Sequence, residues 1–325
     1  MNKTLVIAEA GNNHNGDFSK AIKLVKIAKN SGADMVKFQL FSTKNFINKN
    51  FKSKKINFLK MYQRFRSLEF SIDKWKKIIK FGKKKNIKVF FSIFDEDSII
   101  TLRKLGIKTV KIPSGEITNI SLLKEINKRK FKVILSTGMS NISEVSHALK
   151  YLKNCKVDVL HCISEYPTYF PNLGAISLLK KKLKKKIGYS DHSQSLIVPA
   201  LSVMMGAHII EKHFTYNKNQ KYGDHKISLN PQELKEMINN IRFAERCAEK
   251  KEKNVTPKEK KLQYLARKAV YLKKDLSKGQ IIRARDLSFL RPMSGIPAEK
   301  YFNIINKKLK KNIKKNIPLK FDFFK

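Results

Sequence analysis

One short stretch of the chain, residues 211–225, concentrates side chains that could bind a metal or move protons. It reads EKHFTYNKNQKYGDH and holds two histidines, a glutamate and an aspartate. Neutral imidazoles are common metal ligands, and carboxylates serve as acids, bases or further ligands. Glu211 and His213 are two residues apart, so on a strand they share one face. Spacing alone does not decide between such a site and a strand end whose histidine makes only structural hydrogen bonds.

Short apolar runs rich in Val, Ile and Phe alternate with amphipathic helical patterns over the first 250 residues. The predicted strands are 4–11, 34–41, 88–94, 109–116, 132–139, 157–166, 186–192 and 208–215. Predicted helices between them include 18–30, 73–86, 142–152 and 231–250. Eight strand-helix units predict an α/β fold, a (β/α)8 TIM barrel. A doubly wound open sheet is the alternative, but GNNHNGD after the first strand is not a dinucleotide-binding glycine pattern.

Polar residues recur where these predicted strands end. They are Glu9, Lys37, Gln39, Ser114, Glu116, Ser136, Tyr166, Ser190, His192, Glu211 and His213. A barrel has its active site at the carboxyl ends of its strands, so one rule gathers residues that are far apart in the chain. Several of them also form pairs two residues apart, such as Lys37 and Gln39, which places both on one strand face. This layout predicts an enzyme.

The character of the chain changes after residue 250. KKEKNVTPKEKKLQ is a charged connector, and short β-like runs with turn signals follow it. We therefore predict a TIM-barrel catalytic domain over 1–252, a linker over 253–265 and a small C-terminal domain over 266–325. The small domain is either a dimerisation cap or the source of a residue such as Arg291 for a barrel mouth.

The net charge of +44 is extreme, and it requires that nucleic-acid binding be considered. The lysines are spread over nearly every predicted helix, as in KWKKIIKFGKKKN and LLKKKLKKKIG, and they form no single basic domain. Solvated helix faces explain this pattern better than a nucleic-acid site, so we expect no nucleic-acid partner. A positive field would still speed the capture of an anionic substrate.

Membrane, export and disulfide signals are missing from the pattern of residues. Apolar runs stay shorter than the roughly 20 residues of a membrane helix, and the first residues enter a strand-like run directly. The cysteines Cys155, Cys162 and Cys247 lack a metal-type spacing, and their odd number argues against a disulfide framework. We expect a cytoplasmic protein, with no membrane contact, whose thiols are buried or idle.

Motifs along nearly the whole chain resemble one known family. They are AEAGNNHNGD (8–17), GADMVKFQ (32–39), KIPSGEITN (111–119), ILSTGM (134–139), EYPT (165–168), GYSDHS (188–193), IEKHFT (210–215), DHKISLNPQEL (224–234), KKDLSKGQII (273–282) and RP (291–292). Together they resemble the sialic acid synthases, which join phosphoenolpyruvate to an N-acylated amino sugar and release phosphate. The resemblance implies a (β/α)8 barrel followed by a small antifreeze-like (SAF) domain. It also implies a swapped homodimer in which the small domain covers the partner's active site.

The resemblance also implies roles for individual residues. A divalent metal, usually Mn²⁺ with Mg²⁺ or Co²⁺ possible, would bind His192 and His213. Phosphoenolpyruvate would contact Lys37, Ser92, Lys111, Ser114, Ser136, Ser164 and Ser190. The amino sugar would contact Gln39, Tyr166, Asp224 and, from the partner chain, Arg291. The acid-base candidates are Glu9, Glu116 and Glu211, and the residue that activates water is either Glu9 or Glu116.

Four segments depart from the sequence motifs that are usual in the family. STPFD reads FSIFD at 91–95, which keeps a hydroxyl at Ser92, and SGPDH reads KYGDH at 221–225. RPGNGI reads RPMSGI at 291–296, and residues 43–70 lack a pattern common among relatives. We therefore expect the catalytic residues to be retained and the sugar side to differ. N-acetylmannosamine and 2,4-diacetamido-2,4,6-trideoxymannose both remain candidates, since the motifs are closer to the N-acetylneuraminate and legionaminate branches than to the pseudaminate branch.

The implied reaction is an aldol-type condensation. C3 of phosphoenolpyruvate attacks the aldehyde of the open-chain sugar, which the metal polarises, and water then adds at C2 before phosphate leaves by C–O cleavage. Two alternatives stay open: another metal-dependent aldolase or phosphoenolpyruvate-condensing barrel, and a non-catalytic binder of sugar or nucleic acid that would account for the charge.

Overall fold

The computed structural model of the chain describes residues 3–249 and 252–325. It divides into two compact units, Met1–Glu249 and Lys250–Lys325. Each unit has a hydrophobic core of its own, and each is described by itself below.

The first unit is a closed barrel of eight parallel strands. The strands are β1 (Leu5–Gly11), β2 (Met35–Leu40), β3 (Lys88–Ile93), β4 (Thr109–Ile112), β5 (Lys132–Ser136), β6 (Lys156–Cys162), β7 (Ile187–Asp191) and β8 (Ile209–His213). Each strand pairs with the next in sequence, and β8 returns to pair with β1. The predicted (β/α)8 architecture is therefore confirmed, and the open-sheet alternative is wrong.

Helices surround the barrel and connect its strands. They are α1 (Phe18–Asn30), α2 (Thr43–Phe46), α3 (Phe58–Arg66), α4 (Ile72–Lys84), α5 (Glu96–Lys104), α6 (Ile120–Lys128), α7 (Ile142–Lys150), α8 (Gly174–Leu183), α9 (Val198–Met204) and α10 (Pro231–Cys247). Local signals start them: Asp17 caps α1, and Asn230 forms a capping box with Glu233 at the start of α10. None of the described helices is long and apolar enough to cross a membrane.

Several strands end earlier than the sequence predicted. The run 109–116 was expected to be one strand, but β4 stops at Ile112 because Pro113 has no N–H for the sheet. Residues Ser114–Glu116 then form a single turn of 3-10 helix. β5 and β6 likewise end at Ser136 and Cys162. Consequently several predicted site residues lie on the loops that follow the strands, where a barrel carries its chemistry.

The barrel interior contains an apolar layer below a polar one. The apolar layer is a buried cluster of Ile7, Met35, Phe90, Ile134, Leu160 and Ile209. Two residues further along the same strands come Glu9, Lys37, Ser92, Ser136, Cys162 and Glu211. Because strand side chains alternate, both sets point inward. The apolar layer therefore closes the barrel below the polar residues, which face only its C-terminal end.

The second unit is small and mainly irregular. It contains α11 (Pro257–Ala266) and an antiparallel pair, β9 (Ala269–Leu272) with β10 (Leu287–Leu290). Its core is formed by buried aliphatic side chains, among them Val270, Leu287 and Ile296, with Phe323 and Phe324 near the end of the chain.

Candidate active site

A cavity of about 300 Å³ opens at the C-terminal end of the barrel. Its wall contains most of the residues that the sequence analysis selected. These are Glu9, Lys37, Gln39, Ser92, Lys111, Ser114, Ser136, Ser164, Tyr166, Ser190, His192, Glu211 and His213. The closure of the barrel thus brings together side chains from all eight strand ends.

Four oppositely charged groups form a buried cluster at the base of this cavity. Lys37 Nζ lies 2.7 Å from Glu9 Oε2 and 2.9 Å from Glu211 Oε2. Lys111 Nζ lies 3.1 Å from Glu211 Oε1, which also accepts a hydrogen bond of 2.9 Å from Ser190 Oγ. Two ammonium groups balance two carboxylates, and such pairing is the condition under which charges are buried in proteins.

The pKa values of Lys37 and Glu211 indicate different roles for these two members of the cluster. Burial lowers the pKa of Lys37 to about 7, and Lys111 acts in the same direction while Glu211 opposes it. Burial by itself raises the pKa of Glu211, but Lys111 and Lys37 more than offset this and hold that pKa well below its usual range. Glu211 is therefore ionised, and both of its oxygens contact donors. It can hold the two lysines in place but is poorly suited to accept a proton.

Glu9 presents a free acceptor to the cavity. Its Oε1 is buried and has no hydrogen-bond partner. The pairing of β1 with β2 shifts between Glu9 and Gly11, and Gly11 adopts a φ of +49°. A Cβ at Gly11 would lie only 3.1 Å from Glu9 Oε1. The irregular strand end and its glycine therefore keep the space beside this oxygen free for a ligand or water.

Hydroxyl groups form another part of the wall, around Gly138. The Gly138 amide donates to Ser114 Oγ over 3.0 Å. A Cβ at Gly138 would lie 2.1 Å from Ser164 Oγ and 2.8 Å from Ser114 Oγ, so the close packing of these groups requires glycine. Ser136 Oγ, on the preceding strand, is buried without a partner. Such directional donors, together with lysines, suit phosphate and carboxylate oxygens.

The two imidazoles predicted to bind a metal lie side by side, with ring centroids 5.8 Å apart. His192 Nδ1 donates to the carbonyl of Ile163 over 2.7 Å, which leaves a lone pair on Nε2. That Nε2 lies 3.0 Å from the Tyr166 hydroxyl. His213 Nδ1 is buried and has no hydrogen-bond partner. His213 thus has a ring nitrogen without any hydrogen-bond partner, and the free nitrogen of His192 faces only the Tyr166 hydroxyl.

Burial keeps both imidazoles neutral. It lowers the pKa of His192 to about 4, with His213 acting in the same direction. It lowers the pKa of His213 to about 3, with a further contribution from Lys37. Neutral imidazole is the form that binds divalent metals, so this pair fits a metal. The described residues contain no group of three or more His, Cys, Asp or Glu side chains arranged for a metal. A metal held by two imidazoles alone would have further coordination positions for substrate.

Three predicted site residues are outside the cavity wall. Glu116 accepts a hydrogen bond of 2.8 Å from Asn119, and burial raises its pKa. Asp224 lies on the loop beyond β8, with Oδ2 3.8 Å from His213 Nδ1 and a side chain that is 42% exposed. Arg291 is an exposed residue of the second unit.

The sequence analysis assigned no role in the site to Cys162 or to Gly138. Cys162 was predicted to be a buried or idle thiol; it is buried, but it also lines the cavity with Sγ 3.7 Å from His192 Nδ1. Its position two residues after inward-facing Leu160 was the signal that could have identified it. Gly138 also received no role. A side chain there would clash with Ser114 and Ser164, which follow other strands, and the sequence does not show this proximity.

Two of the four segments that depart from the family pattern, 43–70 and 221–225, meet near Asp224. The Arg64 guanidinium, from residues 43–70, lies 5.0 Å from the ring centroid of Tyr222. Arg64 also donates to Asn15 Oδ1 over 2.7 Å, and Asn15 Nδ2 lies 3.1 Å from His225 Nε2. Both departures therefore belong to one local structure beside the predicted sugar side.

Comparisons with known proteins agree with this geometry. The NeuB family matches residues 24–253, and the SAF domain matches residues 267–325. The N,N'-diacetyllegionaminic acid synthase of Campylobacter jejuni is 42% identical over 97% of this chain and 98% of its own length. The enzyme of the same name from Legionella pneumophila is 38% identical, over 95% and 91%. A crystal structure of N-acetylneuraminic acid (sialic acid) synthetase from Leptospira borgpetersenii, in complex with citrate, has a TM-score of 0.72 and 32% identity, covering 80% of this chain and 90% of that one.

Proposed function

The chain belongs to the NeuB family of phosphoenolpyruvate-condensing nonulosonic acid synthases and carries a SAF domain, and we propose that its acceptor is 2,4-diacetamido-2,4,6-trideoxymannose. The product would then be N,N'-diacetyllegionaminic acid. The names of the relatives at 42% and 38% identity support this acceptor over N-acetylmannosamine. The observation that carries the chemistry is one cavity with balanced lysine-carboxylate pairs, hydroxyl donors and two neutral imidazoles.

Phosphoenolpyruvate would bind where positive charge and hydroxyl donors converge. Lys37 and Lys111 would supply charge to its carboxylate and phosphate. Directional hydrogen bonds would come from Ser92, Ser114, Ser136, Ser164 and Ser190. Ser136 Oγ, which has no partner of its own, is free to donate to the bound anion.

A divalent metal, for which we propose Mn²⁺, would be held by His192 and His213 and would supply Lewis-acid polarisation of the sugar aldehyde. Family members are generally metal-dependent. The chain's part is to keep both imidazoles neutral and oriented, through burial and through the hydrogen bond of His192 to Ile163. Tyr166 would lie beside the acceptor, and its hydroxyl would give up the 3.0 Å contact with His192 Nε2 when that nitrogen binds the metal.

The reaction forms a bond between C3 of phosphoenolpyruvate and the aldehyde carbon, whose oxygen gains a proton. Water then adds at C2 and loses a proton, and the bond from C2 to the phosphate oxygen breaks. We propose that Glu9 accepts the proton from water, since its Oε1 is buried, free and in the cavity wall. Glu211 is occupied by two lysines, and Glu116 is outside the wall and bonded to Asn119. A base of this kind typically contributes about 10²–10⁴-fold.

The remaining assignments concern the acceptor and the assembly. Gln39 and Asp224 would contact the sugar, and the junction of Arg64 with Tyr222 would border it. We also propose a homodimer in which Arg291 of one chain reaches the acceptor site of the other. The division into a barrel over 1–252, a linker over 253–265 and a SAF domain over 266–325 is part of the same proposal.

One assay tests the proposal: phosphate release from phosphoenolpyruvate with Mn²⁺ and each amino sugar. We expect the highest kcat/KM with 2,4-diacetamido-2,4,6-trideoxymannose, and loss of turnover with a chelator or in His213→Ala. Bridging ¹⁸O in phosphoenolpyruvate should appear in phosphate, because the C–O bond breaks. A higher kcat/KM with N-acetylmannosamine would overturn the acceptor, and turnover only with other aldehydes would overturn the acceptor class.

A further inference from the structure

The strands that carry the two imidazoles also carry a buried ion pair on their opposite face. Asp191 precedes His192 at the end of β7, and Lys212 precedes His213 at the end of β8. Asp191 and Lys212 lie opposite each other in the pairing of these two strands. Since side chains alternate along a strand, the pair points away from the cavity while both histidines point into it.

The pair is closed off from water and saturated with hydrogen bonds. Lys212 Nζ lies 2.5 Å from Asp191 Oδ2, and the two side chains are 1% and 0% exposed. Lys212 also donates to the carbonyl of Ser193. Asp191 Oδ1 accepts from the Tyr189 hydroxyl over 3.0 Å and from the Ser193 amide over 2.9 Å. The network therefore fixes the residues on both sides of His192 and connects them to β8.

Stability alone does not account for this pair. The described outward-facing side chains of β1 to β5 are apolar, for example Val36, Phe38 and Leu135, and they pack in the main core. Replacing a buried ion pair by apolar groups of similar volume is often neutral or stabilising. An ion pair, unlike apolar packing, is most favourable at one particular separation and orientation of its two groups. Because the pair lies between the two strand ends that carry the histidines, we expect it to set the relative position of those histidines.

We propose that Asp191 and Lys212 are positioning residues, whose ion pair sets the spacing of His192 and His213 and so allows both imidazoles to bind one divalent metal. The inference rests on the proposed function for the identity of the metal ligands. Partners that orient metal ligands typically change metal affinity by about 10–100-fold when they are removed.

The test compares Mn²⁺ binding among purified full-length variants without substrates, using electron paramagnetic resonance of free Mn²⁺. The main variant is Asp191→Asn with Lys212→Met, which removes the pair without leaving an unpaired buried charge. The matched control is Asp158→Asn. It removes the negative charge from a contact of 3.0 Å with His208 at the opposite end of the barrel.

We expect the double variant to fold, as judged by circular dichroism, and to bind Mn²⁺ about 10–100-fold more weakly, with kcat reduced and KM for phosphoenolpyruvate little changed. The control should melt at a lower temperature and bind Mn²⁺ like the wild type. Lys212→Arg, which keeps the charge, should recover most of the affinity. If the double variant does not fold, Asp191→Asn with Lys212→Gln, which also leaves no unpaired buried charge, serves as the test.

Two outcomes separate this inference from the proposed function. Wild-type Mn²⁺ affinity in the folded pair variants, with weakened binding in His213→Ala, would overturn the positioning role alone. Unchanged Mn²⁺ binding in His213→Ala would overturn both the metal assignment and the inference. A wild type that binds Mn²⁺ but turns over no amino sugar would contradict only the proposed reaction, and weaker binding in the double variant would still support the inference.

Discussion

Polar groups at the two ends of the eight-stranded barrel differ in whether they have hydrogen-bond partners. At the N-terminal end, Asp34 Oδ2 accepts from the Val6 amide over 2.9 Å and from Arg242 Nη2 over 3.0 Å. Arg242 also donates to the carbonyl of Thr4 and to Glu245, each over 2.9 Å. At the C-terminal end, Glu9 Oε1, Ser136 Oγ and His213 Nδ1 are buried without partners.

This difference indicates which end is built for stability and which for binding. A buried polar atom costs roughly 1–3 kcal/mol unless the protein, water or a ligand supplies a hydrogen-bond partner. Polar atoms without protein partners are expected at a site where a bound ligand supplies the missing hydrogen bonds. The N-terminal end receives no ligand in the proposed reaction, and its polar groups pair with one another. The following changes test this contrast, from the largest expected effect to the smallest.

Glu9→Gln should give the largest effect, at the C-terminal end. The amide cannot accept a proton from water, so kcat should fall about 10²–10⁴-fold, or roughly 3–5 kcal/mol of barrier, with a small change in KM. Phosphate release at saturating substrates measures it. Glu116→Gln is the control and should stay close to the wild-type kcat. The reverse pattern, with kcat lost in Glu116→Gln and retained in Glu9→Gln, would make Glu116 the base.

Arg242→Met should affect stability and leave activity intact, because Arg242 is at the N-terminal end. The change leaves Asp34 and Glu245 partly buried with fewer donors. We expect the free energy of unfolding to fall by about 2–3 kcal/mol, measured by urea denaturation, with kcat/KM unchanged at 25 °C. A loss of kcat/KM in the folded variant would contradict the division between the two ends.

The pH dependence of phosphoenolpyruvate capture should follow Lys37. Its pKa is about 7, so the ammonium loses its proton and its attraction for the anion as pH rises through that value. We expect kcat/KM for phosphoenolpyruvate to fall by up to about tenfold per pH unit above about pH 7. Lys37→Arg stays charged throughout, so any activity it retains should lack this decline. A flat wild-type profile from pH 6 to 9 would contradict the assignment.

Ser136→Ala should have the smallest effect and separate binding from stability. Its hydroxyl has no partner in the free protein, so its removal should leave the melting temperature unchanged or slightly higher. The lost hydrogen bond to a charged ligand should raise KM for phosphoenolpyruvate about tenfold. The matched control is Ser202→Ala, because buried Ser202 donates to the Pro199 carbonyl over 2.7 Å. That control should lower stability and leave KM alone, and the opposite result would contradict the comparison.

The order of the strands and helices was predictable from the sequence because it depends on local patterns. Apolar runs and amphipathic periods located all eight strands of the barrel, and the motifs pointed to the NeuB family and its SAF domain. The ends of the strands were less accurate. The stop of β4 at Ile112 depends on Pro113, but the run 109–116 continues the strand-like pattern beyond it.

The contacts within the site were less predictable. Glu9 and Glu116 were equal candidates for the base, since both are glutamates at predicted strand ends. Only the closed barrel shows that Glu9 Oε1 is free in the cavity while Glu116 is bonded to Asn119. Cys162 was predicted only to be buried or idle, and barrel closure likewise shows that it lines the cavity.

The sequence by itself determined the barrel, the family and the set of polar residues at the strand ends, because side-chain alternation and motif order are properties of neighbouring residues. Only the tertiary structure decided which of these groups are paired and which are free. Lys37 on β2 meets Glu211 on β8, and Asp191 meets Lys212, through barrel closure and strand register. Those pairings fix the charge, the pKa and the free lone pairs of the site, and they depend on distances between residues far apart in the chain.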